Sequence, residues 1–267
     1  MINITVVGAA GKMGSRIIAL SKDYADIKLI GAVERSGHKN IGQDIGEITG
    51  LGKTGISLAD NIKKVAGETG VCIDFSSSES TSLNLKALYS SPVPLVIGTT
   101  ELPKEIIEDI KSYAKKTPCV FAPNMSVGVN LLLKVLGDIA QVLGDDYDIE
   151  IVEAHHRLKK DAPSGTAMKM AQVLAESLGR NLDEVAVYAR KGLIGERTKK
   201  EIGIQTIRSG DIVGEHTVFF GGLGERIEIT HKASSRDTFA RGALKAALWV
   251  SKQKPGLYDM QDVLGLK

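Results

Sequence analysis

A chain of 267 residues, 43% hydrophobic and 25% charged, has the balance of a globular protein, with length for one large core or two smaller ones. Its formal net charge of +2 at pH 7 is too small for a general nucleic-acid or membrane surface, although cations cluster locally at Arg157, Lys159 and Lys160. Cys72 and Cys119 lie inside apolar runs and read as small buried hydrophobes on strands, so neither a disulfide nor a metal site is expected of them.

From Met1 the chain passes directly into an apolar run at 4–7 with no basic leader, and no stretch is expected to reach transmembrane length. A cytoplasmic enzyme is the expectation. A strand at 2–7, a helix at 13–21 and a strand at 27–33 have the pattern of a βαβ unit. Apolar runs at 71–75, 95–97 and 120–121, separated by helical stretches at 80–88 and 104–114, extend it. The fold class predicted is α/β, a Rossmann-type doubly wound parallel sheet. After an apolar helix-like segment at 127–143 the texture changes to longer strand candidates at 149–154, 202–207, 217–220 and 226–230, which predict a second α+β domain with a mixed sheet. Between them a helix at 167–178 is introduced by Pro163-Ser164 and stopped by Gly179. A last helix, 238–250, is expected to return to the first domain.

Gly8-Ala9-Ala10-Gly11-Lys12-Met13-Gly14 follows the first strand and opens the first helix with the spacing G-x-x-G-x-x-G. Backbone N–H groups and the helix dipole at such a turn can hold a pyrophosphate. Ala9 and Ala10 depart from the commoner G-x-G-x-x-G, yet the residues stay small where backbone must approach phosphate. The plainer reading is a tight turn that needs glycine for sterics. Glu34, which ends the second strand about twenty residues beyond the turn, favours the cofactor reading, because an acidic side chain there can accept from the adenosine ribose hydroxyls. The cofactor expected is therefore NADH or NADPH: Glu34 suits the first, while Arg35 and Lys12 offer cations to the 2′-phosphate of the second.

Gly98-Thr99-Thr100 and Ala122-Pro123-Asn124-Met125 come where strands of such a sheet would end, and ligands bind at the carboxyl ends of strands. Gly98 would let backbone approach a ribose or nicotinamide, and Thr99, Thr100 and Asn124 could hydrogen-bond it. Plain turn chemistry explains either segment alone equally well.

The run Glu153-Ala154-His155-His156-Arg157-Leu158-Lys159-Lys160-Asp161-Ala162-Pro163-Ser164-Gly165-Thr166 carries the most chemistry. Adjacent histidines project in different directions and no cysteine or suitably spaced third ligand accompanies them, which argues against a metal. A solvated basic loop is the bland alternative. Against it, imidazoles exchange protons near neutral pH, the ammonium groups beside them attract anions, and Ser164-Gly165-Thr166 starts a helix whose free N–H groups can cradle a carboxylate. Combined with a nicotinamide, this describes hydride transfer followed by a proton to a small dicarboxylate. A nucleotide-binding sensor without turnover is the rival from another class, and it has no need of His155 and Lys159. An aspartate- or homoserine-type dehydrogenase is a second rival, with no need of the cradle beside paired histidines. His38, His216 and His231 are left outside the site, and Lys232 and Arg236 are at most additions to its anion field.

The glycine turn, the run 153–166, Gly210-Asp211-Ile212-Val213-Gly214-Glu215-His216 and Ile229-Thr230-His231-Lys232-Ala233-Ser234-Ser235-Arg236 together resemble the dihydrodipicolinate reductase (4-hydroxy-tetrahydrodipicolinate reductase) family, over nearly the whole chain. The resemblance implies a cytoplasmic homotetramer that reduces 4-hydroxy-tetrahydrodipicolinate to tetrahydrodipicolinate with NADH or NADPH, on the route to lysine and diaminopimelate. It implies a dinucleotide-binding domain of residues 1–126 and 237–267, and a substrate-binding and oligomerisation domain of 127–236. Carried onto this sequence, it makes His155 a proton donor or acceptor and Lys159 a proton donor or electrostatic partner, with His156, Gly165 and Thr166 on substrate carboxylates. The cofactor positions become Gly8, Ala9, Ala10, Gly11, Lys12, Met13, Glu34, Arg35, Gly98, Thr99, Thr100, Ala122, Pro123, Asn124 and Met125. Leu158 stands where many members carry a polar residue or histidine, and Lys12 where arginine is common. Lys12 keeps a cation there without the two-pronged guanidinium.

Overall fold

A computed structural model describes residues 1–267. Its strands, in chain order, are β1 (Ile2–Val7), β2 (Ile27–Val33), β3 (Leu58–Ala59), β4 (Val71–Asp74), β5 (Leu95–Ile97), β6 (Pro118–Phe121), β7 (Asp148–His155), β8 (Ala186–Val187), β9 (Ile202–Arg208), β10 (Gly214–Gly221), β11 (Arg226–Ala233) and β12 (Gly256–Tyr258). The chain divides into two compact units, Met1–Val127 with Arg236–Lys267, and Gly128–Ser235.

In the first unit the sheet runs β12-β6-β5-β4-β1-β2-β3, and every pairing is parallel. Successive strand residues enter opposite faces. Ile4, Val6, Val71, Ile73, Val96 and Val120 pack with the helices Lys12–Ser21 and Asp237–Val250. Val7, Cys72, Leu95, Ile97 and Cys119 pack with the helices Ser78–Leu88 and Lys104–Ala114. Burial on both faces is why these strands read as continuous apolar runs rather than alternating ones. Each fully buried aliphatic side chain contributes about 1.5–3 kcal/mol.

In the second unit the sheet runs β11-β10-β7-β9-β8, with β7, β8 and β9 parallel and β10 antiparallel to both its neighbours. One face is covered by the helices Val127–Leu143 and Gly165–Ser177, whose Leu132, Leu136, Met170 and Leu174 meet Ile149, Ile151, Ile202, Ile204, Val218 and Phe220. The stretch Val127–Asp146, 20 residues of hydropathy 1.5, is one helix long and apolar enough to cross a membrane, contrary to the expectation that no such stretch exists. A stripe of this helix, Leu132, Leu136 and Ala140, belongs to the unit's core, and its outer side carries the Lys134–Asp138 ion pair at 3.0 Å. Its apolar excess is that of a helix laid on a sheet.

Candidate active site

In the first unit β1 is followed directly by Gly8, whose φ of +72° lies in the left-handed region and whose missing side chain leaves room for the carbonyl of Phe75. A Cβ at Gly14 would overlap the Gly8 carbonyl, so the helix Lys12–Ser21 starts against the turn itself. Gly11 caps that helix without a side-chain hydrogen bond, and no acidic residue stands in the first turn. The leading N–H groups are thus left for an anion. The N–H groups of Gly8 and Ala9 donate to Val33 O at 3.0 and 3.1 Å, which pins the turn to the end of β2. From there Glu34 reaches back, and its Oε2 accepts the Ala10 N–H at 3.3 Å. The acidic residue predicted for a ribose therefore stands at the rim of the glycine turn, with Arg35, Gly11 and Lys12 exposed and Met13 half-buried. The cradle fits a nucleotide: bulk is excluded where pyrophosphate needs backbone, and a carboxylate flanks it.

Gly98 donates its N–H to Asp74 O at 2.9 Å and packs so closely on the Phe75 ring that a Cβ would strike it. Thr99 is only 4% exposed, and its hydroxyl lies 3.3 Å from Asp74 Oδ1, 3.2 Å from Ser76 N and 3.1 Å from Thr81 Oγ1. That hydroxyl works inside the fold, and Thr100 is the exposed member of the pair. Burial pushes the Asp74 carboxyl up, against the hydrogen bonds from Ser76, Thr81 and Thr99. Ala122 and Met125 are buried, Pro123 is exposed, and Asn124 Oδ1 accepts the Ser126 N–H at 2.9 Å.

In the second unit the covered face of the sheet changes character along its length. Register aligns Phe220, Ile149 and Ile202 in one row and Val218, Ile151 and Ile204 in the next. The following row is His216, Glu153 and Thr206, and after it His155 pairs with Arg208. The apolar rows hold the helices; the polar rows, at the carboxyl ends of β7 and β9, form a hydrogen-bonded cluster of titratable groups. Glu153, 0% exposed, accepts from both Arg208 Nη groups at 2.9 Å, from Thr206 Oγ1 at 3.1 Å and from the Ser164 N–H at 3.1 Å. Its Oε2 also lies 2.6 Å from His155 Nδ1. Burial pushes the Glu153 carboxyl up, but the bonds from Arg208 and His155 and their charges outweigh it, and it falls below the usual range. Burial lowers His155 by more than the bond to Glu153 raises it, and the charges of Lys159 and Arg208 lower it further.

The loop after β7 is tied down. Arg157 N–H donates to Gly210 O at 3.1 Å, Lys159 N–H to His156 O at 3.1 Å, and Arg208 Nη2 to Asp161 O at 2.6 Å. Lys159 Nζ meets Asp161 Oδ1 at 2.9 Å, a bond that holds the Asp161 carboxyl below its ordinary value. His156 Nδ1 is buried without a protein partner. The helix Gly165–Ser177 begins at Ser164, whose Oγ accepts the Ala167 N–H at 3.2 Å. Gly165 is exposed, Thr166 is half-buried and no acidic residue stands in the first turn. The residues read from sequence as catalytic or substrate-binding, His155, His156, Lys159, Gly165 and Thr166, thus all lie at one end of one unit. Glu153, Arg208 and His216 were not read as members. His216 is 4% exposed, with its ring edge-on to His155 at 5.2 Å between centroids. A signal existed for Glu153 and Arg208: each continues, two residues on, the alternation of a strand whose preceding inward positions are apolar or hydroxylic.

Two family models match the chain, one described as "Dihydrodipicolinate reductase, N-terminus" over residues 2–125 and one as "Dihydrodipicolinate reductase, C-terminus" over 128–264. The second model runs on through residues that the fold returns to the first unit. The 4-hydroxy-tetrahydrodipicolinate reductases of Syntrophus aciditrophicus and Syntrophobacter fumaroxidans are each 55% identical over 267 residues, covering 100% of both chains. Among solved structures, a dipicolinate-bound dihydrodipicolinate reductase from Paenisporosarcina sp. TG-14 shares the fold at 24% identity and TM-score 0.75, covering 98% of each chain. With both models matching in order and full-length relatives at this identity, the chain belongs to the dihydrodipicolinate reductase family.

Proposed function

We propose that the chain reduces 4-hydroxy-tetrahydrodipicolinate to tetrahydrodipicolinate with a nicotinamide nucleotide. One hydride and one proton enter and one water leaves. The observation that carries the reading is Glu153, which joins the His155 imidazole to the Ser164 N–H and so holds a proton-exchanging group and a carboxylate-binding helix N-terminus in fixed relation.

The first unit would hold the nucleotide through Gly8 to Met13, Glu34, Arg35, Gly98 to Thr100 and Ala122 to Met125. When bound, the dihydronicotinamide supplies hydride. Thr100 is the side chain of its pair open to ligand, and Thr99 orders the loop through Asp74. Glu34 serves NADH through the free ribose hydroxyls, while the exposed Arg35 and Lys12 serve the 2′-phosphate of NADPH, so the chain uses either.

The second unit would grip the two carboxylates with Lys159, His156 and the N-terminus of Gly165–Ser177, where Gly165 and Thr166 stand. Burial holds the His155 imidazole below its ordinary value, which favours the neutral ring in the free protein. Substrate carboxylates beside it raise it again, and the imidazole then carries the proton it passes on. Lys159, drawn from Asp161 toward the substrate, steadies the negative charge that hydride leaves behind. The half-exposed Val152, Gln205, Thr217 and Phe219 leave the sheet's second face available for self-association, and the homotetramer that the resemblance implies is tested by sedimentation.

Absorbance at the nicotinamide band, followed with each nucleotide on freshly generated substrate, tests the reading. Oxidation of both nucleotides is expected. Nucleotide binding with no oxidation would instead make the chain a sensor.

A further inference from the structure

A buried carboxylate is costly unless its oxygens are partnered, and in Glu153 Oε1 accepts from Arg208 Nη2, Thr206 Oγ1 and Ser164 N–H while Oε2 accepts from Arg208 Nη1. Its fifth contact, 2.6 Å from His155 Nδ1, fixes a hydrogen position, because an ionised carboxylate only accepts. Nδ1 must therefore carry the hydrogen. A neutral ring then has its lone pair on Nε2. The surroundings of that nitrogen are unusual. Gly214 on β10 stands beside His155, and a Cβ there would lie 3.1 Å from Nε2 and 3.4 Å from Cδ2, closer than side chains ordinarily pack. The missing side chain leaves Nε2 open while His216 walls the ring edge-on at 5.2 Å.

We propose that Glu153 is a positioning residue for the proton transfer: clamped by Arg208, it holds His155 through Nδ1 and leaves Nε2, in the space kept open by Gly214, as the nitrogen that exchanges the proton with substrate. The proposal rests on His155 being the proton-transfer group. In the step itself the Nε2–H bond of the imidazolium breaks and its proton passes to the substrate. Both electrons stay on the ring nitrogen, the Nδ1–H remains with Glu153, and water later restores the proton. The charged and titratable groups that face His155 are Glu153 on its own strand, Arg208 on β9, His216 on β10 and Lys159 on the following loop. Only Glu153 among them raises its affinity for a proton.

The test begins with the unaltered full-length protein, uniformly labelled with ¹⁵N. Long-range ¹H–¹⁵N spectra, with His155 assigned by comparison with His155→Gln, should give the Nδ1–H tautomer above its titration. The Nε2–H tautomer would overturn the proposal with no question of folding. Glu153→Gln should lower kcat on the order of a hundredfold and move the alkaline limb of the kcat/KM profile, where the imidazolium is lost, to lower pH, with nucleotide affinity unchanged. A folded Glu153→Gln with the original rate and profile overturns it. Gly214→Ala, should it fold, is expected to lose about tenfold or more in kcat, and full turnover would count against Nε2 as the reacting nitrogen. The two readings fail separately. His155→Gln with full turnover sinks the role of His155 itself, whereas a reversed tautomer in a protein that still needs His155 sinks only the positioning by Glu153.

Discussion

Ser164 Oγ lies 3.1 Å from His216 Nε2, and this contact ties the start of the helix Gly165–Ser177 to β10. The same oxygen accepts the Ala167 N–H, so one buried hydroxyl serves as helix cap and as partner to a buried imidazole. Ser164→Ala removes both. The cap costs about 1 kcal/mol. The imidazole nitrogen left without a partner costs about 1–3 kcal/mol more. Urea unfolding should register the sum as a lower midpoint with unchanged slope, and KM for the dicarboxylate should rise while nucleotide affinity holds. A loss under about 0.5 kcal/mol, the scatter of ordinary surface substitutions, would mean that the helix start is held by something else.

His216 gives the fold a dependence on pH whose sign can be worked out. Burial first, and the charge of His155 after it, push its pKa down to about 4 from an ordinary 6.5. Between those values the unfolded chain binds a proton that the folded chain refuses, so stability falls as pH drops through the window and levels off below about 4. Burial lowers His155 and His231 as well, and they act in the same direction. Glu153 works on the acid side: its depressed pKa adds stability that is present above the ordinary carboxylate range and lost as pH falls through the folded value. Thermal unfolding from pH 7.5 to 4.5 should decline steadily in the parent and less steeply in His216→Gln. Parallel curves would mean that His216 titrates normally.

The first sheet was legible because its physics is local. Strands buried on both faces announce themselves as apolar runs, and the glycines of the turn are forced by the carbonyls of Phe75 and Gly8. The two edge strands were not: Leu58-Ala59, and Gly256-Leu257-Tyr258, which follows Lys254-Pro255 as a turn would, become strands only by pairing with β2 and β6. The site divides along the same line. His155, Lys159 and the helix start are neighbours in the chain, and proximity in sequence carried them. Arg208 and His216 enter through register, 55 residues from Glu153 and 52 from Ser164, and no local pattern encodes which strand will pair with which. His216 in particular reads as one more inward residue of an alternating strand.

Glu34 is positioned to discriminate between the two nucleotides. Its carboxylate accepts the Ala10 N–H at 3.3 Å, which sets it at the rim of the glycine turn, and the exposed Arg35 follows it directly. Hydrogen bonds from ribose hydroxyls to this carboxylate are available to NADH, whereas a 2′-phosphate meets Arg35 and Lys12 instead. Glu34→Ala should therefore raise KM for NADH by about tenfold or more, in line with the worth of a hydrogen bond to a charged group, and affect NADPH far less. Steady-state kinetics with both nucleotides decide it. Equal losses would remove Glu34 from nucleotide recognition and leave it only as a support of the turn.

Lys159 and His155 should part company under mutation. Lys159 Nζ is 2.9 Å from Asp161 Oδ1 and keeps 20% of its side chain exposed, so it is held loosely enough to be recruited by an anion. His155 is held by Glu153 and enclosed by His216. His155→Ala removes proton exchange and should lower kcat on the order of a hundredfold or more with little change in nucleotide affinity. Lys159→Ala removes a charge that acts on bound substrate as well as on its reduction. It should lower kcat by a comparable factor and raise KM for the dicarboxylate, a rise that His155→Ala does not share. Asp161→Asn frees the ammonium and should lower that KM. Turnover unchanged in either alanine variant would discredit the role given to that residue, and a higher KM in Asp161→Asn would mean that the ion pair orients Lys159 for substrate rather than holding it back.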